Sequence, residues 1–234
     1  MRALILAAGR GERMRPLTDA KPKPLLTAGG RTLIEWQIER LVAGGFDELV
    51  INHSYLGPMI EAAVGDGARY GAAIRYSHEP TALETAGGVA QALPLLGSGP
   101  FAVVSGDIYT EFDYASLGDR VAAIARDPVR VAAHFVLVDN PPYHPGGDMG
   151  LADGRITRAG PRLTYGNLAV YHPSLFAEVA PGTALKLFPW AYRYVDEGRV
   201  SGEHYRGAWD NVGAPDQLAE LDRRISPRPG KIHP

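Results

Sequence analysis

Short apolar runs alternate with amphipathic segments along the first 138 residues of the chain. The first run, Arg2 to Ala8, stops at Gly9, as expected for a fully buried strand of a parallel sheet that ends in a loop. Thr32 to Gly44 has apolar residues at helical spacing, and Thr32 and Glu35 have the spacing of a capping box. Because parallel strands need helical crossovers between them, the alternation predicts a doubly wound, mostly parallel α/β sheet.

The same reasoning predicts the other elements. Strands are expected at 48–52, 73–77, 101–105, 130–138, 163–171 and 200–205. Helices are expected at 58–64, 86–96, 114–126, 185–197 and 214–225. A hairpin is expected at 151–159, inside a stretch rich in proline and glycine. We therefore expect a single domain over residues 1–225, with halves at 1–138 and 139–225, and a flexible tail at 226–234.

Composition excludes several classes of function. Lys and Arg total 24 and Asp and Glu total 26, a net charge of −2 without any basic block, so neither nucleic acid nor a membrane is an expected partner. The chain contains no cysteine, which excludes disulfides, thiolate metal sites and a cysteine nucleophile and favours a cytoplasmic location. The apolar run at residues 3–8 is too short to span a bilayer, and one preceding Arg does not make a signal peptide.

A glycine loop rich in cations follows the first predicted strand. Gly9 and Gly11 stand where an open α/β sheet binds anions through backbone N–H groups, although a glycine pair alone fits an ordinary turn equally well. A dinucleotide site would need a third glycine at Met14, which disfavours a dehydrogenase, and the P-loop pattern is also absent. Lys23 is fixed between two prolines, an unusual placement for a merely solvated residue. The loop therefore predicts a triphosphate site, with cations at Arg13, Arg15, Lys21 and Lys23.

Asp107 directly follows the predicted strand at 101–105. Open sheets bind ligands at this edge, and a carboxylate there suits Mg²⁺ bridged to phosphates, whereas capping of the following turn is the usual structural role. None of the seven histidines has metal-ligand spacing, so no catalytic histidine is assigned. The aromatic residues within 187–194 lack interleaved basic residues and are expected to serve packing.

Several of these segments together resemble one enzyme family. The stretch LAAGRGERMRPLT at 6–18, followed by PKPL at 22–25, resembles the signature of the sugar-1-phosphate nucleotidylyltransferases. The resemblance continues through ETAGG at 84–88, SGD at 105–107 and WDNVG at 209–213. It implies a Rossmann-like nucleotidyltransferase fold with a loop-rich sugar-binding half, Mg²⁺ as cofactor, and the small molecules UTP and a sugar 1-phosphate as substrates. The implied reaction is direct attack of the sugar phosphate on the α-phosphorus, giving a UDP-sugar and pyrophosphate.

The resemblance also implies roles for individual residues. Arg13 is implied at the pyrophosphate and Lys23 at the reacting phosphates, both as catalytic residues. Asp107 and Asn211 are implied as metal ligands, with Asp210 held in reserve because neighbouring strand residues face opposite ways. The implied nucleotide-binding residues are Ala8, Gly9, Gly11, Glu12, Glu79, Glu84, Thr85 and Asp107, of which Glu79, Glu84 and Thr85 belong to the segment that contacts the base. The implied sugar-binding residues are Gly147, Asp148, Asn167, Lys186 and Arg206.

Within the family, the chain is most similar to the branch that acts on N-acetylmuramate α-1-phosphate in cell-wall recycling. This similarity lies in INH at 51–53, LETAGG at 83–88, LVDNP at 137–141 and SGEHYRG at 201–207. Glu84 fits that branch, since many other relatives have glycine there. Asn211 and Asn167 depart from it and resemble the N-acetylglucosamine branch. Muramate carries a lactyl carboxylate, for which Lys186 and Arg206 are the candidate cations, although each equally fits a solvated surface charge.

Two other functions stay open at this stage. One is transfer to mannose or glucose 1-phosphate from GTP or dTTP. The other is a non-catalytic sugar-nucleotide sensor, against which the joint presence of Arg13, Lys23 and Asp107 argues. No oligomer is implied, and a monomer is compatible with the sequence.

Overall fold

The computed structural model describes residues 1–226, so all of the expected tail except residue 226 lies outside the described residues. The strands are β1 Arg2–Leu6, β2 Thr27–Ala28, β3 Arg31–Thr32, β4 Glu48–His53, β5 Ala73–His78, β6 Phe101–Ser105, β7 Ile108–Thr110, β8 Ala133–Val138, β9 Gly150–Ala152, β10 Arg155–Thr157, β11 Thr164–Tyr171, β12 Val200–Tyr205 and β13 Trp209–Asn211. The α-helices are α1 Leu33–Ala43, α2 Gly57–Val64, α3 Glu84–Leu96, α4 Ala115–Arg126, α5 Leu187–Trp190, α6 Tyr192–Asp196 and α7 Pro215–Ile225. Within residues 1–226, no helix combines the length and the apolar character needed to cross a membrane.

Nine strands form one sheet in the order β5-β4-β1-β6-β11-β8-β12-β10-β9. The pairings β5-β4, β4-β1, β1-β6 and β8-β12 are parallel. β11 is antiparallel to both of its neighbours, and so is β10. The other seven strands of this sheet therefore all run in one direction. The predicted doubly wound, mostly parallel sheet is therefore confirmed.

Side chains on alternate strand positions enter two cores, one on each face of the sheet. Leu4 of β1 faces the core beneath α3, α5 and α6, whereas Ala3 and Ile5 face the core beneath α1, α2 and α4. This strict alternation is what burial on both faces requires. A third, smaller core joins the loop after β1 to α7, through Met14, Leu26, Ala28, Leu33, Tyr109, Val212 and Leu221.

The structure differs from the sequence-based expectation in the segment 185–197. A single helix was expected there, but the structure has the two short helices α5 and α6, and Phe188 has the extended torsions φ −111° and ψ 136°. Pro189 explains the break, because its ring disfavours helical torsions in the preceding residue and it has no N–H to donate. The expected strand at 130–138 begins only at Ala133. The expected capping box of α1 is present, with Thr32 Oγ1 accepting from the Glu35 amide.

The carboxyl ends of β1, β4 and β6 are joined by hydrogen bonds. The Gly106 amide donates to the Leu6 carbonyl at 2.8 Å, and the Ala7 amide donates to Asn52 Oδ1 at 2.7 Å. The residues that follow these three strands therefore lie at one edge of the sheet, where open α/β sheets bind their ligands.

Candidate active site

The glycine loop after β1 is folded against its own neighbours. Gly11 has φ +69°, and a side chain there would come within 3.1 Å of the Thr18 Cγ2. The Gly11 carbonyl accepts from the Met14 amide at 2.9 Å and from Thr18 Oγ1 at 2.9 Å. A Cβ placed on Gly9 would have no heavy atom within 4 Å, so the backbone of this residue faces open space. The loop is a fixed platform on which a ligand can approach the backbone closely.

Arg10 and Arg13 of this loop are held differently. Arg10 stacks on the Tyr55 ring at 3.8 Å and donates to the Thr18 carbonyl at 2.8 Å. Arg13 is exposed, and its Nη2 lies 3.1 Å from where a Cβ of Gly213 would be. Arg13 therefore lies next to the segment that follows Asn211.

Lys23 and Asp107 are in direct contact, with Nζ 2.6 Å from Oδ2. Lys23 lies in a 3₁₀ turn, Lys23–Leu25, and is only 8% exposed, although lysines are almost never buried without a partner. Asp107 follows β6 at the ligand-binding edge. The structure thus brings together two predicted site residues that are 84 positions apart in sequence.

The pairing of β13 with β7 places Asn211 close to Asp107 in the fold. The Val212 amide donates to the Asp107 carbonyl at 3.0 Å, and Asn211 pairs with Ile108. Asp210 faces the other way and its carboxylate pairs with Arg224 of α7. The preference for Asn211 over Asp210 as the candidate ligand agrees with this arrangement.

The donor set fits magnesium. Asp107 supplies a carboxylate and Asn211 an amide oxygen, both hard oxygen donors of the kind that Mg²⁺ prefers. Within residues 1–226 there is no group of three or more His, Cys, Asp or Glu residues that could form a complete metal cage. Asp107 and Asn211 would therefore need substrate phosphates and water as further ligands of Mg²⁺.

A cleft of about 360 Å³ opens beside this group. It is lined by Leu6, Ala8, Gly9, Arg10, Asn52, Glu79, Ala82, Glu84, Thr85, Ser105 and Asp107. Of the implied nucleotide-binding residues, Ala8, Gly9, Glu79, Glu84, Thr85 and Asp107 therefore line one cavity. Gly11 and Glu12 lie in the loop beside it and do not form its wall.

Glu79 and Asn52 form the floor of the cleft. Asn52 Nδ2 donates to Glu79 Oε1 at 2.6 Å, and Glu79 Oε2 accepts from the Leu83 amide at 2.8 Å. Burial raises the pKa of the Glu79 carboxyl, which is 1% exposed. Sequence reasoning missed Asn52 as a site residue, although a polar residue at the carboxyl end of a buried strand next to β1 is a usable signal.

α3 begins at the wall of the cleft, and its first residue has an unusual backbone. Glu84 has φ +62°, a left-handed torsion that glycine adopts more readily than other residues. The amides of Ala86 and Gly87 donate to the Leu185 carbonyl at 2.9 and 3.1 Å. The second half of the chain is therefore fastened to the start of α3.

A second cavity of about 270 Å³ adjoins Asn211. It is lined by Tyr143, His144, Asp148, Thr164, Tyr165, Asn167, Phe188, Trp209 and Asn211. Asn167 has φ +58° at a bulge in β11, and Asp148 accepts from the Tyr165 amide at 2.8 Å and contacts His144 Nε2 at 3.0 Å. Sequence reasoning had not assigned Tyr143, His144, Thr164 or Trp209 to a site, because they come from a loop and strands that only the tertiary fold brings together.

Three implied sugar-binding residues lie outside this cavity wall. Gly147 has φ +57° in the turn before Asp148. Lys186 and Arg206 are exposed, and neither lines the cleft or the second cavity. Lys186 follows Leu185, whose backbone contacts α3, and Arg206 directly follows β12.

Comparisons with known proteins agree with this geometry. Residues 2–144 match the family model described as nucleotidyl transferase. The chain is 47% identical to N-acetylmuramate alpha-1-phosphate uridylyltransferase of Neisseria meningitidis over 94% of this chain and 96% of that protein. It is 36% identical to the protein of the same name from Caulobacter vibrioides, over 96% of each.

A more distant similarity concerns the fold. The crystal structure of a putative glucose-1-phosphate thymidylyltransferase from Bacillus anthracis superimposes with a TM-score of 0.83 over 99% of this chain and 98% of that one, at 19% identity. The family model spans more than half of the chain, and both uridylyltransferases align with nearly all of it. On these grounds the chain belongs to the nucleotidyl transferase family.

Proposed function

We propose that this protein transfers a uridylyl group from UTP to N-acetylmuramate α-1-phosphate, giving UDP-N-acetylmuramate and pyrophosphate. The similarity that extends over nearly the whole length of two uridylyltransferases with that named activity supports this substrate pair. The observation that carries the reaction type is the 3.0 Å hydrogen bond from the Val212 amide to the Asp107 carbonyl. It holds Asn211, in the wall of the second cavity, beside Asp107, in the wall of the cleft.

In this proposal the cleft takes the nucleotide and the second cavity takes the sugar. A non-bridging oxygen of the sugar phosphate attacks the α-phosphorus, the bond from that phosphorus to the β-phosphate oxygen breaks, and pyrophosphate leaves. No bond to the protein forms, so catalysis rests on positioning and on compensation of negative charge. Arg13 and Lys23 supply that positive charge, and the Lys23 ammonium can exchange the Asp107 carboxylate for a phosphate oxygen.

Asp107 and Asn211 would hold Mg²⁺, which offsets phosphate charge when it is bound. The nucleotide's phosphates would approach the backbone at Gly9, where no side chain intervenes. Asn167 and Asp148 would meet the sugar, and the Phe188 and Trp209 rings would bound its cavity.

A panel assay tests the proposal. Pyrophosphate release is measured with UTP, GTP, dTTP and ATP against the 1-phosphates of N-acetylmuramate, N-acetylglucosamine, glucose and mannose, with and without EDTA. We expect the highest kcat/KM for UTP with the muramate substrate and no release in EDTA. A higher kcat/KM for mannose 1-phosphate with GTP would support the alternative activity, which is that of a fungal relative named mannose-1-phosphate guanyltransferase, 30% identical over 92% of this chain. Absence of release from every pair would support a sensor.

The sugar preference rests on a separate proposal about Lys186 and Arg206. Both are exposed and neither lines the second cavity, so each would have to reach the lactyl carboxylate of a bound muramate from outside the cavity wall. Lys186→Ala or Arg206→Ala should erode the preference for muramate over glucosamine by about 1.5–3 kcal/mol, the scale of one charge-assisted hydrogen bond. Equal kcat/KM values for the two sugars in the unmutated enzyme would refute the muramate assignment and make Asn167 the better guide to the sugar.

A further inference from the structure

A third cavity of about 330 Å³ lies between α4 and the sheet, away from the transfer site. It is lined by Arg120, Ala123, Ile124, Asp127, Arg130, Val131, His134, Arg155 and Ser201. His134 and Ser201 are register partners near the start of β8 and β12, whereas Val138 and Tyr205 pair at the other end of those strands. His134 and Val138 are four strand residues apart, which is about 13 Å. The loop that carries Tyr143, a residue of the second cavity, follows Val138.

Three arginines line this cavity, and two of them, Arg130 and Arg155, have no carboxylate partner among the described residues. Arg120 Nε is 3.7 Å from Glu203 Oε1, a long contact. Arg155 Nη1 donates to the Gly198 carbonyl at 2.8 Å, which leaves its other N–H groups available. The guanidinium of Arg130 makes no hydrogen bond or ion pair within residues 1–226.

The two acidic residues near the cavity already have partners, and Glu203 shares its Oε1 between Arg120 and His134. Asp127 Oδ1 accepts from the backbone amide of Arg130 at 3.1 Å. Glu203 Oε1 lies 2.8 Å from His134 Nε2, and the His134 Nδ1 lies 2.9 Å from Ser201 Oγ. Burial lowers the pKa of His134, and its contacts with Glu203 and Ser201 hold the ring in the wall. With three arginines against two carboxylates, the cavity carries a net positive charge.

The other wall is apolar. Ala123 and Ile124 of α4 and Val131 form it. A guanidinium fork matches the oxygens of a phosphate group, and an apolar wall suits a carbon skeleton. The volume is within the range of small-molecule sites.

We infer that this cavity is a second ligand site, which binds a small phosphate monoester with its phosphate between Arg130 and Arg155 and its carbon skeleton against Ala123 and Val131. The site is separate from the proposed transfer reaction and does not depend on it. Its cations come from the middle of α4, the loop after α4 and β10, so a ligand there ties three elements together.

The test uses the full chain and glycerol 3-phosphate as probe. Ring signals of the histidines are followed by NMR in the ¹⁵N-labelled protein, with His134 assigned from a His134→Asn variant. We expect a saturable shift of the His134 signal with glycerol 3-phosphate and none with glycerol. A dicarboxylate of similar size, malate, serves as a second arm, and an equal response to malate would replace the phosphate assignment with a general anion site.

Matched variants locate the binding. Arg130→Gln combined with Arg155→Gln should weaken binding about tenfold or more, because two charge-assisted contacts are lost. Arg126→Gln with Arg158→Gln removes two exposed arginines outside the cavity and should leave the affinity unchanged. Lys23→Ala should also leave it unchanged, which separates this site from the transfer site. Unchanged affinity in the Arg130→Gln/Arg155→Gln protein, with its melting temperature preserved, or no shift in the unmutated chain, would overturn the proposal.

Discussion

Lys23 is the residue whose surroundings bear most directly on the proposed transfer reaction. Its ammonium is nearly buried and its ion partner within the described residues is Asp107. Lys23 is buried and Asp107 is half-buried, and such a pair contributes little net stability because desolvation offsets much of the attraction. The pair is better understood as a charge held ready for a phosphate than as a support of the fold.

We expect Lys23→Ala to lower kcat/KM for pyrophosphate release by about two to four orders of magnitude, the effect of losing one preorganised charge-stabilising group. Arg31→Ala removes an exposed cation whose ion partner is Glu39, and as the control it should change kcat/KM by less than about threefold. Steady-state kinetics with both substrates varied checks the prediction. A change below threefold for Lys23→Ala would indicate that Lys23 supports the structure of the loop and takes no part in catalysis.

Asn211 and Asp210 allow a direct comparison of neighbouring residues. Asn211→Ala should weaken activation by Mg²⁺ strongly, whereas Asp210→Ala should do so only mildly because that carboxylate is paired with Arg224. Asn211→Asp should retain activation, since it keeps an oxygen ligand. The measurement is the dependence of rate on Mg²⁺ concentration, and the reverse ranking of the two alanine variants would move the ligand to Asp210.

Among the elements, α3 links the two halves of the chain. The Leu185 carbonyl accepts from the amides of Ala86 and Gly87 at its start, and Gly88 lies against the hydrogen-bonded pair of Asn52 and Glu79. A Cβ on Gly88 would come within 2.7 Å of both Asn52 Nδ2 and Glu79 Oε1. Glycine is therefore required at this position by the packing of the cleft floor.

Gly88→Ala should destabilise the protein by about 1–3 kcal/mol, the usual cost of overpacking, although alanine is the better helix former. Gly118→Ala in α4 is the control, because the Cβ there meets only the end of the flexible Met1 side chain. That variant should be neutral or more stable by up to about 1 kcal/mol. Urea denaturation measures both, and equal stability of the two variants would contradict the packing argument.

Elements with a strong local pattern could be predicted from the sequence, and elements made by distant contacts could not. The predicted strands at 101–105 and 200–205 have the observed bounds, and α1 carries its expected capping box. β7 and β13 have three residues each and exist only because they pair across about a hundred positions of sequence. Lys23 and Asp107 were recognisable from their loop and strand end, whereas Asn52 and Tyr143 become site residues only through the neighbours that the fold gives them.

At the scale of the whole molecule, buried histidines make stability depend on pH. Burial lowers the pKa of His53 and of His134, each 1% exposed. A depressed folded-state pKa means that the unfolded chain binds protons first as the pH falls. Their contribution to stability is present above the unfolded pKa of about 6.5 and is lost as the pH falls through the lower folded-state values.

The free energy of unfolding should therefore decrease between pH 7.5 and 5.5, by at most about 1.4 kcal/mol per pH unit for each of the two groups. Burial raises the pKa of Glu79, so that carboxyl acts in the opposite direction at lower pH. Urea denaturation at several pH values gives the slope, and His134→Asn should make it shallower. A slope that is flat, or equally steep in that variant, would exclude His134 as its source.

The position of β11 in the sheet has a consequence for folding during synthesis. β11, residues Thr164–Tyr171, lies between β6 and β8, both of which are made earlier. When Val138 has just been added, β6 and β8 have no strand between them, and the middle of the sheet cannot close. Translation through Tyr171 is thus a precondition for joining the two sides of the sheet, so chaperones that shield exposed strand edges would find their substrate in nascent chains shorter than this.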